Sequence, residues 1–189
     1  METHRWTRTF ALLLLLLLPA TYAQAQAEPM QRVRTDSRYL RLVIASGIER
    51  SPTFRRIMDR LDQSDVIAEV QCGNFTGSQQ VGRTVLLAAL PTVRYVLVEI
   101  ACPMTSVPAL HLVAHELRHV LEIADATWVV DGPTLAQLYL DIGFPTHGPT
   151  TASYGQFETA DALDAGDRVH HELFHPGDPT RRVARDATK

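Results

Sequence analysis

The chain has 189 residues, a hydrophobic fraction of 46% and a formal net charge of −3 at pH 7. A chain of this length and apolar content can form one domain with its own hydrophobic core. The mildly acidic balance argues against a nucleic-acid partner, because nucleic-acid binding requires Lys and Arg clustered on one face.

The first residues have the organisation of a secretory signal peptide. Arg5 and Arg8 form a positively charged segment, a leucine-rich run follows, and small residues before position 28 provide cleavage sites. The apolar run is about ten residues long, too short to span a bilayer as a helix. We therefore expect residues 1–27 to be removed on export, which leaves a secreted or periplasmic protein without a stable membrane anchor.

The next part of the chain is expected to contain a helix and three strands. Residues 38–47 fit a strand or a short helix equally. Ser51 and Pro52 mark the start of a helix that extends to about Gln63. Three segments rich in Val, Ile and Leu and bounded by turn residues are typical of strands. They are residues 66–73, 84–91 and 94–102, of which the last two are expected to form a hairpin.

The second half of the chain is expected to be helical. From Ser106 to about Asp125, apolar residues recur at i, i+3 and i+4, which predicts a long amphipathic helix. Further helices are predicted at residues 133–142 and at about residues 156–174. Strands early and helices late predict a single α+β domain over residues 28–177, followed by a flexible charged tail at residues 178–189.

The chain contains two cysteines, Cys72 and Cys102. In an exported protein such a pair forms a disulfide more often than it remains as two free thiols. A Cys-ligated metal is the alternative, but the pair lacks the close C-x-x-C spacing of structural zinc sites. We therefore predict a disulfide between Cys72 and Cys102.

His115, Glu116 and His119 form an HExxH sequence in the long helix. Residues four apart lie on one face of a helix, with β-carbons about 5–6 Å apart, so the two imidazoles can converge on one ion. The Glu next to the first His then lies beside a metal-bound water. The alternative is a solvent-exposed polar stripe that also contains His111 and Glu122. Such stripes usually consist of Lys, Glu or Arg, so the high His content favours a metal site.

A second HExxH sequence runs from His171 to His175, near the C-terminus. Pro176 follows it directly, and a residue before proline is pushed out of the helical region of backbone conformation. The helix should therefore end where the second imidazole would have to bind. We expect no catalytic site there.

The HELRH segment, in a long amphipathic helix that follows an apolar strand, resembles the active-site helix of the zincin metallopeptidases. The resemblance covers this helix, the preceding strands and the last helix, but not residues 1–60. It implies that His115 and His119 bind Zn²⁺ and that Glu116 is the general base. It also implies a small zincin-like domain, in which a short β-sheet packs on the N-terminal helix, the active-site helix and a later ligand-bearing helix.

The third metal ligand separates the subgroups of this superfamily. Metzincins continue the motif with a Gly, which lets the chain turn back, and then with a His or Asp ligand. Here Glu122 occupies the Gly position and Asp125 the last one. Without the Gly the helix should continue, so Asp125 would point away from the two His. Glu122 is better suited to a surface role or to supporting a ligand.

Gluzincins take their third ligand from a Glu on a later helix, and Glu158 fits that description. The chain therefore most resembles a minimal gluzincin, with Asp125, Glu122 and His147 as alternative ligands. A further reading of Glu158 is a helix N-terminal carboxylate that interacts with the helix dipole. The resemblance also implies that Asp161, three residues later, orients a zinc-bound His.

These residues imply an exported zinc metallopeptidase that hydrolyses a peptide or protein substrate. Glu116 would accept the proton of the attacking water. Tyr154, His147, His170 and His171 are the candidates for stabilising the oxyanion. The alternative is a non-catalytic exported domain of zincin shape that binds metal or a protein partner.

Overall fold

The computed structural model describes residues 31–76, 80–145 and 157–175. The predicted signal peptide, the predicted tail and the candidates His147 and Tyr154 lie outside these ranges. The described residues form an α+β domain of five helices and a small mixed sheet. The predicted fold class is therefore confirmed.

Two helices follow a short first strand. β1 is Val33–Arg34, α1 is Arg38–Arg50 and α2 is Pro52–Asp62. The segment that fitted a strand or a helix is therefore helical. The hydroxyl of Ser51 accepts a hydrogen bond from the amide of Phe54 and caps α2, as its position before a proline predicted.

The sheet has the strand order β1-β2-β4-β3. β2 is Val66–Gly73, β3 is Gly82–Leu90 and β4 is Val93–Ala101. The first three strands in this order are parallel, whereas β3 runs antiparallel to β4 and forms the predicted hairpin with it. β3 is therefore an edge strand.

The remaining elements are three helices and a two-stranded ladder. α3 is Ser106–Asp125, with the bounds that the apolar periodicity predicted, and α4 is Gly132–Ile142. β5 (Phe144–Pro145) pairs antiparallel with β6 (Phe157–Glu158), and α5 is Ala160–Phe174. α3 packs against the sheet, α2 and α5. Its buried apolar residues form the centre of the core with those of β2 and β4.

Arg94 on β4 is a buried cation that holds the end of α3, with only 2% of its surface exposed. Its guanidinium donates to the carboxylate of Asp65 at 2.7 and 2.8 Å. It also donates to carbonyl oxygens at the end of α3 and just beyond it. These belong to Ile123, Ala124, Ala126 and Val129. Because the last carbonyls of a helix lack partners within it, Arg94 takes the place of a C-terminal cap.

Cys72 and Cys102 form the predicted disulfide, with their Cα atoms 5.4 Å apart. The bond joins the carboxyl ends of the parallel strands β2 and β4, shortly before α3 begins. Among the described residues, no helix combines the length and the apolar character needed to cross a membrane.

Candidate metal centre

α3 presents His115, Glu116 and His119 to the floor of a cleft between β3, α4 and α5. The three residues are 9%, 4% and 6% exposed, and Glu122, one turn further on, is 5% exposed. This burial rules out the alternative from the sequence, in which these residues belong to a solvent-exposed polar stripe. Buried ionisable side chains need partners, so their contacts indicate what the site does.

Glu158 approaches both imidazoles. Its Oε2 lies 3.1 Å from Nε2 of His115, and its Oε1 lies 3.3 Å from Nε2 of His119. One ligand atom from each of these residues lies within 4.8 Å of the other two. Within residues 31–76, 80–145 and 157–175, this is the only group of three or more His, Cys, Asp or Glu close enough to hold an ion. Two imidazole nitrogens and a carboxylate oxygen are donors that zinc accepts.

Glu158 reaches this position from a strand and not from a helix, which corrects the expectation that it lies in the first turns of the last helix. It is the second residue of β6, and the next residue, Thr159, is the N-cap of α5. The pairing of Phe144 with Glu158 fixes this short strand. The last helix therefore begins after the candidate ligand.

Two of the other acidic residues considered from the sequence have partners elsewhere. Asp125 forms an exposed ion pair with Arg60 at 2.7 Å, so it points away from the cleft as expected. Asp161 was expected to orient a His ligand, but its carboxylate pairs with Arg118. That expectation was wrong, because a guanidinium on α3 binds this carboxylate.

The carboxylate that does contact a candidate His ligand belongs to Glu122. Its Oε2 lies 2.8 Å from Nδ1 of His119, on the side of the ring opposite Glu158. Its Oε1 accepts a hydrogen bond of 2.7 Å from the hydroxyl of Thr159. The register H-x-x-E on α3 was the sequence signal for this contact, since residues three apart are neighbours on a helix.

Glu116 points towards the edge strand. The hydroxyl of Thr84 donates a hydrogen bond of 2.7 Å to its Oε2. A Cβ placed on Gly82 would lie 2.3 Å from its Oε1, so only glycine leaves room for the carboxylate. Sequence reasoning identified neither residue. Gly82 lay outside the strand predicted at residues 84–91, whereas β3 begins at Gly82, so the strand alternation that places residues 82 and 84 on one face was not visible from the sequence.

The electrostatics of the site favour a positive charge between the His and Glu side chains. Burial opposes ionisation of Glu158, but hydrogen bonds with His115 and His119 outweigh it and lower its pKa to about 2. Burial also disfavours the charged form of His119, but hydrogen bonds with Glu122 and Glu158 raise its pKa to about 9. A metal cation would supply the same positive charge.

The cleft above these residues has a volume of about 900 Å³. Tyr139 forms part of its wall: the ring lies edge-on to His119, with centroids 5.5 Å apart, and stacks on Phe157. Burial raises the pKa of Tyr139 well above 10, so its phenol is neutral. Apolar side chains predominate in the rest of the lining. They include Leu86, Met104, Leu112, Leu135 and Leu163.

Of the oxyanion candidates, His170 lines this cleft, together with His111. The two rings meet edge to face, with centroids 6.0 Å apart. Burial lowers the pKa of His111, which favours its neutral form. His171 does not line this cleft but a second depression, which His170 and His175 also line.

The second HExxH sequence has a structural role. The carboxylate of Glu172 accepts hydrogen bonds from the Ser51 hydroxyl, from the Thr53 amide at 3.0 Å and from the Thr53 hydroxyl at 2.7 Å. It therefore neutralises the N-terminus of α2. α5 ends at Phe174, and His175 has left the helical conformation with φ −124° and ψ 61°. This agrees with the effect expected of Pro176.

Relatives of known function give no guidance to this chemistry. No protein family matches the chain, and no curated protein or solved structure is significantly similar to it.

Proposed function

We propose that the protein is an exported zinc metallopeptidase of minimal gluzincin type. The observation that carries this proposal is the approach of Glu158 to His115 and His119, at 3.1 and 3.3 Å. The buried carboxylate of Glu116 lies next to this group, at the floor of an open cleft. A set of three protein ligands is typical of catalytic zinc sites, whereas structural sites have four.

His115, His119 and Glu158 would hold the ion, which supplies a Lewis acid for the carbonyl and for a water molecule. Glu116 accepts one proton from this water as its oxygen adds to the peptide carbonyl. Burial raises the pKa of Glu116, so it is a stronger base than an exposed carboxylate. When the C–N bond breaks, Glu116 returns the proton to the leaving nitrogen. Thr84 holds the carboxylate in place throughout.

The cleft suits an extended peptide with apolar side chains. Residues of the edge strand β3 form one side of it, and its walls are largely apolar. Apolar side chains of a bound peptide would displace water from such walls, which favours binding. The proposed substrate is therefore a peptide or an accessible segment of a protein.

Export forms part of the proposal. The disulfide between Cys72 and Cys102 is typical of proteins in oxidising compartments. The organisation of residues 1–27 is that of a signal peptide. Together they favour a secreted or periplasmic location.

Elemental analysis and a peptide-library assay on protein purified without chelators test this function. We expect about one zinc per chain in the wild type, and loss of zinc in His115→Ala and Glu158→Ala. Glu116→Gln should keep its zinc but lose hydrolysis by a factor of about 10²–10⁴. His171→Ala, in the second HExxH sequence, is the matched control and should change neither quantity.

Each result against the proposal has a clear meaning. A wild-type protein that contains no zinc and gives no cleavage products would contradict the proposal of a metallopeptidase. A wild type that holds zinc but cleaves nothing would support the non-catalytic metal-binding domain. Full hydrolysis by Glu116→Gln would show that this residue is not the base.

A further inference from the structure

We propose that Glu122 is a positioning residue that determines which nitrogen of His119 binds the metal and fixes the place of Glu158 at the same time. The proposal rests on the zinc site described above. It assigns to a residue three positions after the HExxH sequence the orienting role that Asp161 was expected to have.

Glu122 contacts the His119 ring at the nitrogen that faces away from the other ligands. Oε2 of Glu122 lies 2.8 Å from Nδ1 of the ring. An ionised carboxylate can only accept hydrogen bonds, so Nδ1 keeps its proton, and Nε2 is the nitrogen that gives up its proton when a metal ion binds. The same Nε2 atom faces Glu158 at 3.3 Å. Glu122 thus selects the nitrogen that points to the other ligands.

Glu122 is also linked to Glu158, through Thr159. The other oxygen of Glu122, Oε1, accepts the proton of the Thr159 hydroxyl at 2.7 Å. This hydroxyl also accepts a hydrogen bond from the amide of Ala162, so its position as the N-cap of α5 is fixed from both sides. The amide of Thr159 in turn donates to Oε1 of Glu158 at 2.8 Å. Through Thr159, Glu122 therefore holds the backbone that carries the third ligand.

Burial makes both contacts necessary. His119, Glu122 and Thr159 are all buried. A buried carboxylate without hydrogen-bond partners is costly. The fold therefore favours positions of His119 and Thr159 in which both still bind Glu122. Each oxygen of Glu122 therefore fixes a different ligand, one on α3 and one before α5.

Zinc affinity, measured by competition with a chromogenic chelator, tests this role without any need for hydrolysis. Loss of an outer partner of a metal-binding His typically lowers metal affinity about 10–100-fold. We expect a loss of this size in Glu122→Ala. Glu122→Gln should lose less, because its amide oxygen can still accept from one of the two donors. Thr159→Val should also bind zinc more weakly, and Thr159→Ser should recover wild-type affinity.

Nitrogen-15 NMR of the histidine rings in the zinc-loaded protein supplies a direct signature. In the wild type, His119 should bind through Nε2 and show a protected proton on Nδ1. Glu122→Ala should lose the protection of that proton. Ser37→Ala is the matched control for Thr159→Val, because it removes the N-cap of a different helix, α1. It should lower stability without changing zinc affinity.

The outcomes separate this proposal from the peptidase. Wild-type zinc affinity in both Glu122→Ala and Thr159→Val, or metal bound to Nδ1 of His119, would overturn the role of Glu122. If Glu122→Ala does not fold, unchanged affinity in Glu122→Gln and Thr159→Val has the same meaning. A wild type without bound zinc overturns both proposals. A zinc-loaded wild type without hydrolysis overturns only the peptidase.

Discussion

The hydroxyl of Thr84, on the edge strand, donates a hydrogen bond of 2.7 Å to the carboxylate of Glu116, on the central helix. The contact fixes the orientation of the proposed base. We expect Thr84→Val to lower peptide hydrolysis about ten-fold, because one hydrogen bond to a charged group contributes about 1.5 kcal/mol. Thr84→Ser keeps the hydroxyl and should retain most activity. Equal rates in the two variants would contradict this role, provided that both bind zinc fully.

Gly82 leaves the space that Glu116 occupies. In Gly82→Ala the new Cβ would lie 2.3 Å from Oε1 of Glu116 and 3.0 Å from a methyl carbon of Leu112, so the carboxylate has to move. We expect a large loss of hydrolysis with zinc content unchanged. Gly132→Ala is the matched control: this glycine also lines the cleft, but its Cβ would meet nothing within 4 Å. Similar rates in both variants would argue against the steric explanation.

Glu172 contributes to stability and not to the chemistry of the cleft. Glu172→Ala removes three hydrogen bonds to the start of α2, and we expect it to lower the free energy of unfolding by about 1–3 kcal/mol. Denaturant unfolding monitored by circular dichroism measures this change. His171→Ala should stay within about 0.5 kcal/mol of the wild type. Loss of bound zinc in folded Glu172→Ala would contradict a purely structural role.

Arg94 should be among the most sensitive positions in the fold. Arg94→Met leaves the carbonyls at the end of α3 and the Asp65 carboxylate without their donor. Buried acceptors that lose their donor typically cost about 1–3 kcal/mol, and the half-exposed Asp65 carboxylate can be solvated by water. We expect Arg94→Met to lower the free energy of unfolding by about this amount. A lower melting temperature measures this loss. Unchanged stability would show that water replaces the guanidinium.

Asp65 should give the stability a dependence on acid pH. The hydrogen bond from Arg94 holds the pKa of the Asp65 carboxyl below its usual range. A carboxylate with a lowered pKa in the folded state stabilises the fold above its unfolded pKa and loses this effect as pH falls through the folded value. The difference in unfolding free energy between wild type and Asp65→Asn should therefore be constant above about pH 5 and shrink below about pH 4. A difference independent of pH would contradict this linkage.

Sequence periodicity predicted the long elements, in which apolar residues recur over several turns or along a whole strand. The bounds of α3 followed from its apolar residues, although the structure buries nearly every residue from Ala109 to Ala124, on all faces of the helix. The segment at residues 38–47 remained undecided because Leu42 is 64% exposed while Leu40 and Val43 are buried. An apolar residue on the outer face of α1 gives the pattern a strand-like alternation. The short strands β5 and β6 have too few residues to show any period.

The site could be predicted only as far as one helix determines it. His115, Glu116 and His119 share a face because of helix geometry, and Glu158 entered through the resemblance. Which carboxylate supports which His depends on the packing of separate elements. Asp161 has the spacing expected of an orienting residue, but Arg118 lies within its reach on α3. No local pattern reports such a contact.

The two-residue ladder between β5 and β6 connects the wall of the cleft to the candidate metal centre. Gly143, at the end of α4, approaches Glu158 so closely that a Cβ would lie 3.0 Å from its carbonyl oxygen. Phe157, next to Glu158, stacks on Tyr139 of α4. α4 therefore contacts the strand that carries the proposed third ligand at two points. We expect a substrate that displaces this wall to displace Glu158 as well, which would couple the width of the cleft to the spacing of the donor atoms.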